Sequence, residues 1–121
     1  MMVSAELKCL VVEDEPAIRR LVVLVLADMG YEMLAAADAE SALEILSHDA
    51  PDVILTDVRL PGMDGVELAY RVKASERRPS ARVLLMSAYG EPPGHPCDGF
   101  LAKPFDIEQL AEFVGPLIAA G

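Results

Sequence analysis

The sequence predicts an α/β fold, doubly wound, in which five parallel strands form an open sheet with helices on both faces. Short apolar runs alternate with longer segments of helical periodicity from one end of the 121-residue chain to the other. This alternation is typical of βαβ units. The first of these runs, residues 7–12, is rich in apolar and β-branched residues, as are strands buried on both faces. At this length we expect one domain, residues 1–121, with no separate output domain.

Five segments are predicted as strands because each is short, apolar and ended by charged residues or by Gly and Pro. They are residues 7–12, 31–36, 52–56, 82–86 and 99–102.

Four helices are predicted between and after these strands. Their first residues or N-caps are Pro16, Asp38, Asp64 and Asp106. The first helix ends at Gly30 and is expected to be largely buried. Glu67 and Gln109 complete the spacing of capping boxes in the last two helices. The pair Gly115-Pro116 is expected to kink or shorten the last helix.

One connection departs from the alternation. Residues 88–99 contain three prolines and three glycines in twelve positions. Because an interior proline costs a helix about 3 kcal/mol, we expect a loop or a single turn here. A crossover that lacks its helix would expose a sheet face or an altered groove.

Charge and hydropathy exclude several classes of function. Twenty acidic against ten basic residues give a net charge of −10, which argues against direct nucleic-acid binding because phosphate contacts need clustered Lys and Arg. The longest apolar run, residues 21–27, is far shorter than the roughly 20 residues of a membrane span. Residues 1–6 lack the pattern of a secretory signal. We expect no membrane contact and a cytoplasmic location.

Cysteine and histidine show no metal-ligand or catalytic spacing. Cys9 is interpreted as a small core residue and Cys97 as incidental, while His48 and His95 are expected at the surface.

Four polar islands are the most informative feature of the chain, because each lies where a predicted strand ends. They are Glu13-Asp14, Asp57, Ser87 and Lys103-Pro104. The carboxyl ends of parallel strands share one edge of an open sheet, and ligands bind at that edge. We therefore expect these side chains to meet in one cleft.

The acidic members of this set predict a cation site. Clustered carboxylates repel one another unless a cation lies among them, and an all-oxygen ligand set suits Mg²⁺. We assign Asp14 and Asp57 as direct ligands and Glu13 as a direct or water-mediated ligand. The backbone carbonyl of Arg59 is assigned as a further ligand.

Asp57 has a second predicted role, as the acceptor of a phosphoryl group. A carboxylate can hold a phosphoryl group as an acyl phosphate if the charge developing on its oxygens is neutralised. Mg²⁺ and the ammonium of Lys103 would neutralise it, and the Ser87 hydroxyl would donate to a phosphoryl oxygen. Each residue alone has an ordinary explanation, as a helix start, a loop serine or a surface lysine. Their joint placement favours the phosphoacceptor site.

At these residues the sequence resembles the receiver domain of two-component response regulators, over residues 8–118. Residues 11–16 resemble the family's acidic metal-binding motif, and residues 57–65 its phosphoacceptor segment. Residues 85–88 match the strand end that carries the switch hydroxyl, and residues 103–105 the lysine followed by a cis-peptide proline. The resemblance implies a flavodoxin-like sheet of order 2-1-3-4-5.

The resemblance also implies how the domain works. Phe100 occupies the switch-aromatic position, expected to follow Ser87 inward after phosphorylation of Asp57, although an ordinary core role is the alternative. The donor is expected to be a histidine kinase or a histidine phosphotransfer protein. The chain promotes its own phosphorylation and dephosphorylation and is not expected to be a turnover enzyme.

The family's fourth helix falls in the Pro/Gly-rich segment, so we expect it to be shortened or missing here. Without it the standard receiver dimer cannot form, and a monomer or weak dimer is expected. Similar shortened segments occur in receivers of hybrid histidine kinases and in stand-alone receivers, so both settings remain open.

Three other functions fit these residues less well. A phosphatase of the haloacid dehalogenase type usually needs an acid two residues after its nucleophile, where this chain has Arg59. A flavodoxin-like cofactor binder needs a Gly/Ser/Thr-rich phosphate cradle, which the loops lack. A receiver-like interaction domain that works without phosphorylation would have lost Asp14, Asp57 or Lys103, and all three are present. Arg59 and Tyr89 flank the site and are predicted to shield the acyl phosphate from water.

Overall fold

Five parallel strands form one sheet in the order β2-β1-β3-β4-β5, as predicted. The structure is a computed structural model that describes residues 7–75 and 81–120, with the side chains of residues 117–120 left aside. The strands β1 to β5 span Lys8–Val12, Glu32–Ala36, Val53–Asp57, Arg82–Ser87 and Gly99–Ala102.

Four helices lie within the described residues, and their predicted caps are confirmed. The helices α1 to α4 span Pro16–Asp28, Ala39–Leu46, Gly65–Ala74 and Ile107–Ala120. Asp38 and Asp64 each accept a hydrogen bond from a backbone N–H three residues on, at 2.7 and 2.9 Å. Asp106 and Gln109 form a reciprocal capping box, with bonds of 2.9 and 2.8 Å. None of the described helices is long and apolar enough to span a bilayer.

The last helix runs past Pro116, so the expectation of a shortened helix is wrong. The buried side chains of Leu110 and Val114 anchor it to the sheet just before the proline. A kink at Pro116 stays a prediction.

The core has one apolar cluster on each face of the sheet, because successive residues of a strand point to opposite faces. Along β1, Cys9 and Val11 join the cluster beneath α1 and α4, whereas Leu10 and Val12 join the cluster beneath α2 and α3. Cys9 is fully buried, which confirms its core role. Burial raises the pKa of its thiol to about 12.

Helix α1 is less buried than predicted. Val22 and Leu26 are fully buried, but Leu24 is 62% exposed. The reason is that α1 is part of an outer layer, so only its inward side contacts the sheet.

The predicted absence of the fourth family helix is confirmed. Residues 88–98, all of which are described, contain a turn at 93–94 and no helix. Two contacts connect this segment to α3. The Tyr70 hydroxyl donates to the Gly94 carbonyl at 3.0 Å. The Lys73 ammonium forms an ion pair with the Asp98 carboxylate at 2.7 Å. The Asp98 carboxylate also accepts from the Val83 N–H at 2.8 Å. The segment is therefore an ordered, helix-free connection.

His95 lies in this segment and is not the surface residue that the sequence predicts. Its side chain is only 10% exposed. Its Nδ1 accepts from the Cys97 N–H at 3.1 Å, and its Nε2 lies 2.6 Å from a carboxylate oxygen of Glu91. Because Nδ1 accepts, the proton lies on Nε2, which donates to Glu91. The loop folds around the imidazole, whereas His48 is exposed as expected.

Candidate functional site

The fold brings the four polar islands to one edge of the sheet, as predicted. Glu13 and Asp14 follow the end of β1, Asp57 and Ser87 are the last residues of β3 and β4, and Lys103 follows β5. These four strands are neighbours in the sheet. All five residues are therefore close to one another at the carboxyl edge.

Lys103 joins two buried carboxylates. Its Nζ lies 2.6 Å from a Glu13 oxygen and 2.8 Å from an Asp57 oxygen. Glu13 is 1% exposed and Asp57 is 6% exposed. In such a setting the ammonium and the carboxylates stabilise one another, and removal of one partner leaves an uncompensated buried charge.

Two pKa shifts follow from this arrangement. Burial lowers the pKa of Lys103, but its hydrogen bonds with Asp57 and Glu13 outweigh that effect and raise the pKa above 10.5. Burial raises the pKa of Glu13 above 4.5, and the contact with Lys103 only partly offsets it. Lys103 therefore stays cationic at neutral pH and supplies a fixed positive charge beside Asp57.

The acidic cluster has the composition of a magnesium site. One oxygen from each of Glu13, Asp14 and Asp57 lies within 4.8 Å of the others. Both Glu13 oxygens already accept hydrogen bonds, one from Lys103 and one from the Glu15 N–H at 3.0 Å. This favours the water-mediated role for Glu13 over direct ligation, whereas the Asp14 side chain is exposed. The donor set thus fits a hard cation that keeps several of its waters.

Arg59 contacts Asp57 through its backbone. Its N–H donates to the second Asp57 oxygen at 3.3 Å. Its guanidinium lies over the ring of Tyr89, 4.3 Å from the ring centroid. Ligation of a metal by its carbonyl stays a prediction.

Ser87 is almost completely buried at the end of β4, which pairs with β3, and only 2% of its surface is exposed. Its Oγ accepts from the Tyr89 N–H at 3.0 Å, which leaves the hydroxyl hydrogen able to rotate toward another acceptor. Phe100 is half-buried and lies opposite Leu85 in the β4–β5 register. Its switch role stays a prediction. The Lys103-Pro104 peptide bond is cis, as the resemblance implies.

An open cleft of about 650 Å³ gives access to Asp57. Arg59 and Tyr89 line one side, and Ile18, Pro104 and Phe105 contribute to its apolar lining. The cleft leaves room for a side chain of another molecule to approach Asp57.

Gly65 is a site residue that the sequence analysis missed, because it was interpreted only as part of a capping motif. A Cβ at this position would lie 2.1 Å from the Asp57 carbonyl oxygen. The Gly65 N–H donates to the Val58 carbonyl at 2.9 Å, so the start of α3 packs directly against the backbone of residues 57–58. The available signal was a glycine at the first helical position just after the loop that follows Asp57, since glycine is unfavourable within helices.

The fold and the site define a doubly wound α/β domain with an acid–lysine cluster at the carboxyl edge of its sheet. The family model of the response regulator receiver domain matches residues 9–115. The chain belongs to this family: it is a receiver domain of the two-component response regulators.

Individual relatives agree with this assignment. The sporulation initiation phosphotransferase F of Bacillus subtilis is 37% identical over 118 residues, which cover 88% of this chain and 90% of that protein. Several other curated relatives are longer, and the chain spans about half of their length or less.

Solved structures show the same fold. The chemotaxis response regulator CheY4 of Vibrio cholerae superposes with a TM-score of 0.86 at 30% identity, covering 93% of this chain and 99% of that one. The response regulator TrrA of Thermotoga maritima, solved in complex with Mg²⁺ and BeF, gives a TM-score of 0.80 at 30% identity. That match covers 92% of this chain and 98% of the other.

Proposed function

We propose that this receiver domain accepts a phosphoryl group on Asp57 from a phosphohistidine of a histidine kinase or histidine phosphotransfer protein. The observation that carries the proposal is the placement of Asp57. It is a nearly buried carboxylate that pairs with Lys103, belongs to the acidic cluster and lines an open cleft. The signal then passes on through a conformational change and protein contacts.

The residues of the site suit this transfer. An Asp57 oxygen forms a bond to phosphorus while the phosphorus–nitrogen bond of the donor breaks, and its electron pair returns to the imidazole. Lys103 offsets the charge that builds up on the phosphoryl oxygens. The Ser87 hydroxyl donates to one of these oxygens. Mg²⁺, held by Asp14, Asp57 and a water-mediated Glu13, would supply further positive charge.

The relatives support the proposal. One is a phosphotransferase by name, and another is complexed with Mg²⁺ and BeF. The product on this chain stays attached to Asp57, so the domain undergoes its own phosphorylation and dephosphorylation and does not turn over a substrate.

The proposed function also implies the kind of partner, the location and the oligomeric state of the chain. With a net charge of −10, the chain contacts proteins and not nucleic acid. Its place is the cytoplasm, where the ATP that charges histidine kinases is found. The missing fourth helix favours a monomer or a weak dimer.

The first test is intact mass after incubation with Mg²⁺ and acetyl phosphate. We expect the wild-type chain to gain one phosphoryl group and Asp57→Asn to gain none, because an amide cannot form the acyl phosphate. Chelation of Mg²⁺ is expected to abolish the gain. Asp64→Asn is the matched control, since it alters only a helix cap, and it is expected to react like the wild type. Equal gain by Asp57→Asn, or no gain with either acetyl phosphate or phosphoramidate, contradicts the proposal.

A further inference from the structure

The acceptor and the switch hydroxyl are connected by a pair of exposed side chains. The Arg59 N–H donates to Asp57, and the Tyr89 N–H donates to the Ser87 Oγ at 3.0 Å. The Arg59 guanidinium lies on the Tyr89 ring, 4.3 Å from its centroid. These three contacts form a continuous path from Asp57 through Arg59 and Tyr89 to Ser87.

The helix-free segment leaves Tyr89 unusually accessible. Tyr89 as a whole is 74% exposed, although its backbone N–H is bonded to a nearly buried hydroxyl. Gly90 follows with a φ of +90°, so the chain turns immediately after the tyrosine and starts no helix. An exposed guanidinium–aromatic contact is weak. A small change at its backbone anchor is therefore enough to move the ring.

We propose that Tyr89 reports the phosphorylation state of this chain. For the Ser87 hydroxyl to reach a phosphoryl oxygen on Asp57 the whole side chain rotates about χ1, so its oxygen moves away from the Tyr89 N–H and that hydrogen bond is lost. Tyr89 then loses its backbone anchor, and its ring separates from Arg59, so after phosphorylation the two side chains do not form the joint shield that the sequence suggests. This inference rests on the proposed function and adds an exposed reporter to the half-buried Phe100.

The movement changes the surface beside the cleft. In the unphosphorylated chain the guanidinium is covered on one side by the tyrosine ring. After release, a cation and a mobile aromatic side chain stand at the rim of the cleft, on a protein with a net charge of −10. Aromatic and arginine side chains are the residue types that dominate binding energy in protein interfaces. The released pair thus offers a partner a surface that exists only in the phosphorylated state.

The experiment is ¹⁹F NMR of the full chain labelled with 3-fluorotyrosine, titrated with Mg²⁺ and beryllofluoride as the phosphoryl mimic. The chain has three tyrosines, and Tyr89→Phe assigns the relevant resonance. Backbone amide signals of residues 57–59, recorded on the same samples, report occupancy of the acceptor. We expect the Tyr89 resonance to shift along the same titration curve as these amides.

Two variants of Ser87 show whether the Tyr89 resonance shifts because the Ser87 hydroxyl moves or only because Tyr89 lies close to the bound anion. In Ser87→Ala the Tyr89 N–H has no Oγ acceptor, so the resonance should start near the released position. It should then stay there while the amides still titrate, at higher beryllofluoride concentration. Ser87→Thr keeps the hydroxyl and should restore the wild-type response.

The outcomes distinguish this inference from the proposed function. Amides that titrate while the Tyr89 resonance stays fixed overturn the reporter role alone. A Tyr89 shift of equal size in Ser87→Ala also overturns it, because the shift would then be independent of the hydroxyl. Amides that fail to titrate overturn the proposed function, and the reporter role with it.

Discussion

Replacing Gly65 with alanine is expected to lower the free energy of unfolding by about 3 kcal/mol and to abolish most phosphoryl uptake. The new Cβ would lie 2.1 Å from the Asp57 carbonyl oxygen, which is backbone and cannot rotate away. The Thr56 hydroxyl also lies close, at 3.1 Å from the Cβ position. Either the start of α3 or the acceptor segment must move, so the substitution couples stability to the geometry of Asp57.

Urea unfolding and intact mass after acetyl phosphate treatment measure the two effects. Gly115→Ala is the matched control, because no atom lies within 4 Å of its Cβ position and Gly115 is within helix α4. There alanine is expected to raise the free energy of unfolding by up to about 1 kcal/mol. If both variants unfold at the same urea concentration, the close approach of α3 to Asp57 is wrong.

Replacing Lys103 with methionine is expected to cost about 3–5 kcal/mol of stability in the absence of Mg²⁺, because it leaves buried Glu13 and Asp57 uncompensated. Added Mg²⁺ is expected to recover part of the loss, since the acidic cluster then holds another cation. Phosphoryl uptake should remain low, because Lys103 no longer offsets charge on the phosphoryl oxygens.

Urea unfolding with and without Mg²⁺ tests this prediction. Lys73→Met is the control, since the Lys73–Asp98 pair is more exposed, at 27% and 38%. It is expected to cost about 1 kcal/mol or less. A Lys103→Met protein as stable as the control would contradict the central role of Lys103 in the site.

The stability of the wild type and that of Lys103→Met are expected to differ in their dependence on pH. The pKa of Lys103 is raised above 10.5 in the folded state. Above pH 10.5 the unfolded chain therefore releases the lysine proton while the folded chain retains it, so stability falls as pH rises. The stabilisation of the folded state that corresponds to the raised pKa of Lys103 is fully present below pH 10.5. The decrease should be steeper in the wild type than in Lys103→Met, and equal slopes in urea unfolding would show that Lys103 is not stabilised by its partners.

The convergence of the site could be predicted from the residues because it depends on where the strands end, whereas the order of the strands in the sheet was implied by the family resemblance. Asp57 and Lys103 each follow an apolar run, and a parallel sheet brings the carboxyl ends of its strands to one edge. The helix-free segment was predictable for an equally local reason, since its prolines exclude a regular helix.

The features that escaped prediction depend on contacts between distant segments. The close approach of Gly65 to Asp57 arises from the packing angle of α3, which no residue pattern encodes. His95 is buried because an irregular loop folds around it, although its composition suggested exposure. Glu13 was recognised as an acid of the site, but its near-complete burial beside Lys103 follows from the tertiary fold.

The most direct test of the account is to identify the phosphorylated residue. The chain, phosphorylated with acetyl phosphate and Mg²⁺, is reduced with borohydride, which converts an acyl phosphate of aspartate to homoserine, and its peptides are then sequenced by mass spectrometry. We predict homoserine at position 57 and unmodified aspartate at Asp14 and Asp64. Conversion at another acidic residue, or a phosphoryl group that resists reduction, would contradict the assignment of Asp57 as the phosphoacceptor.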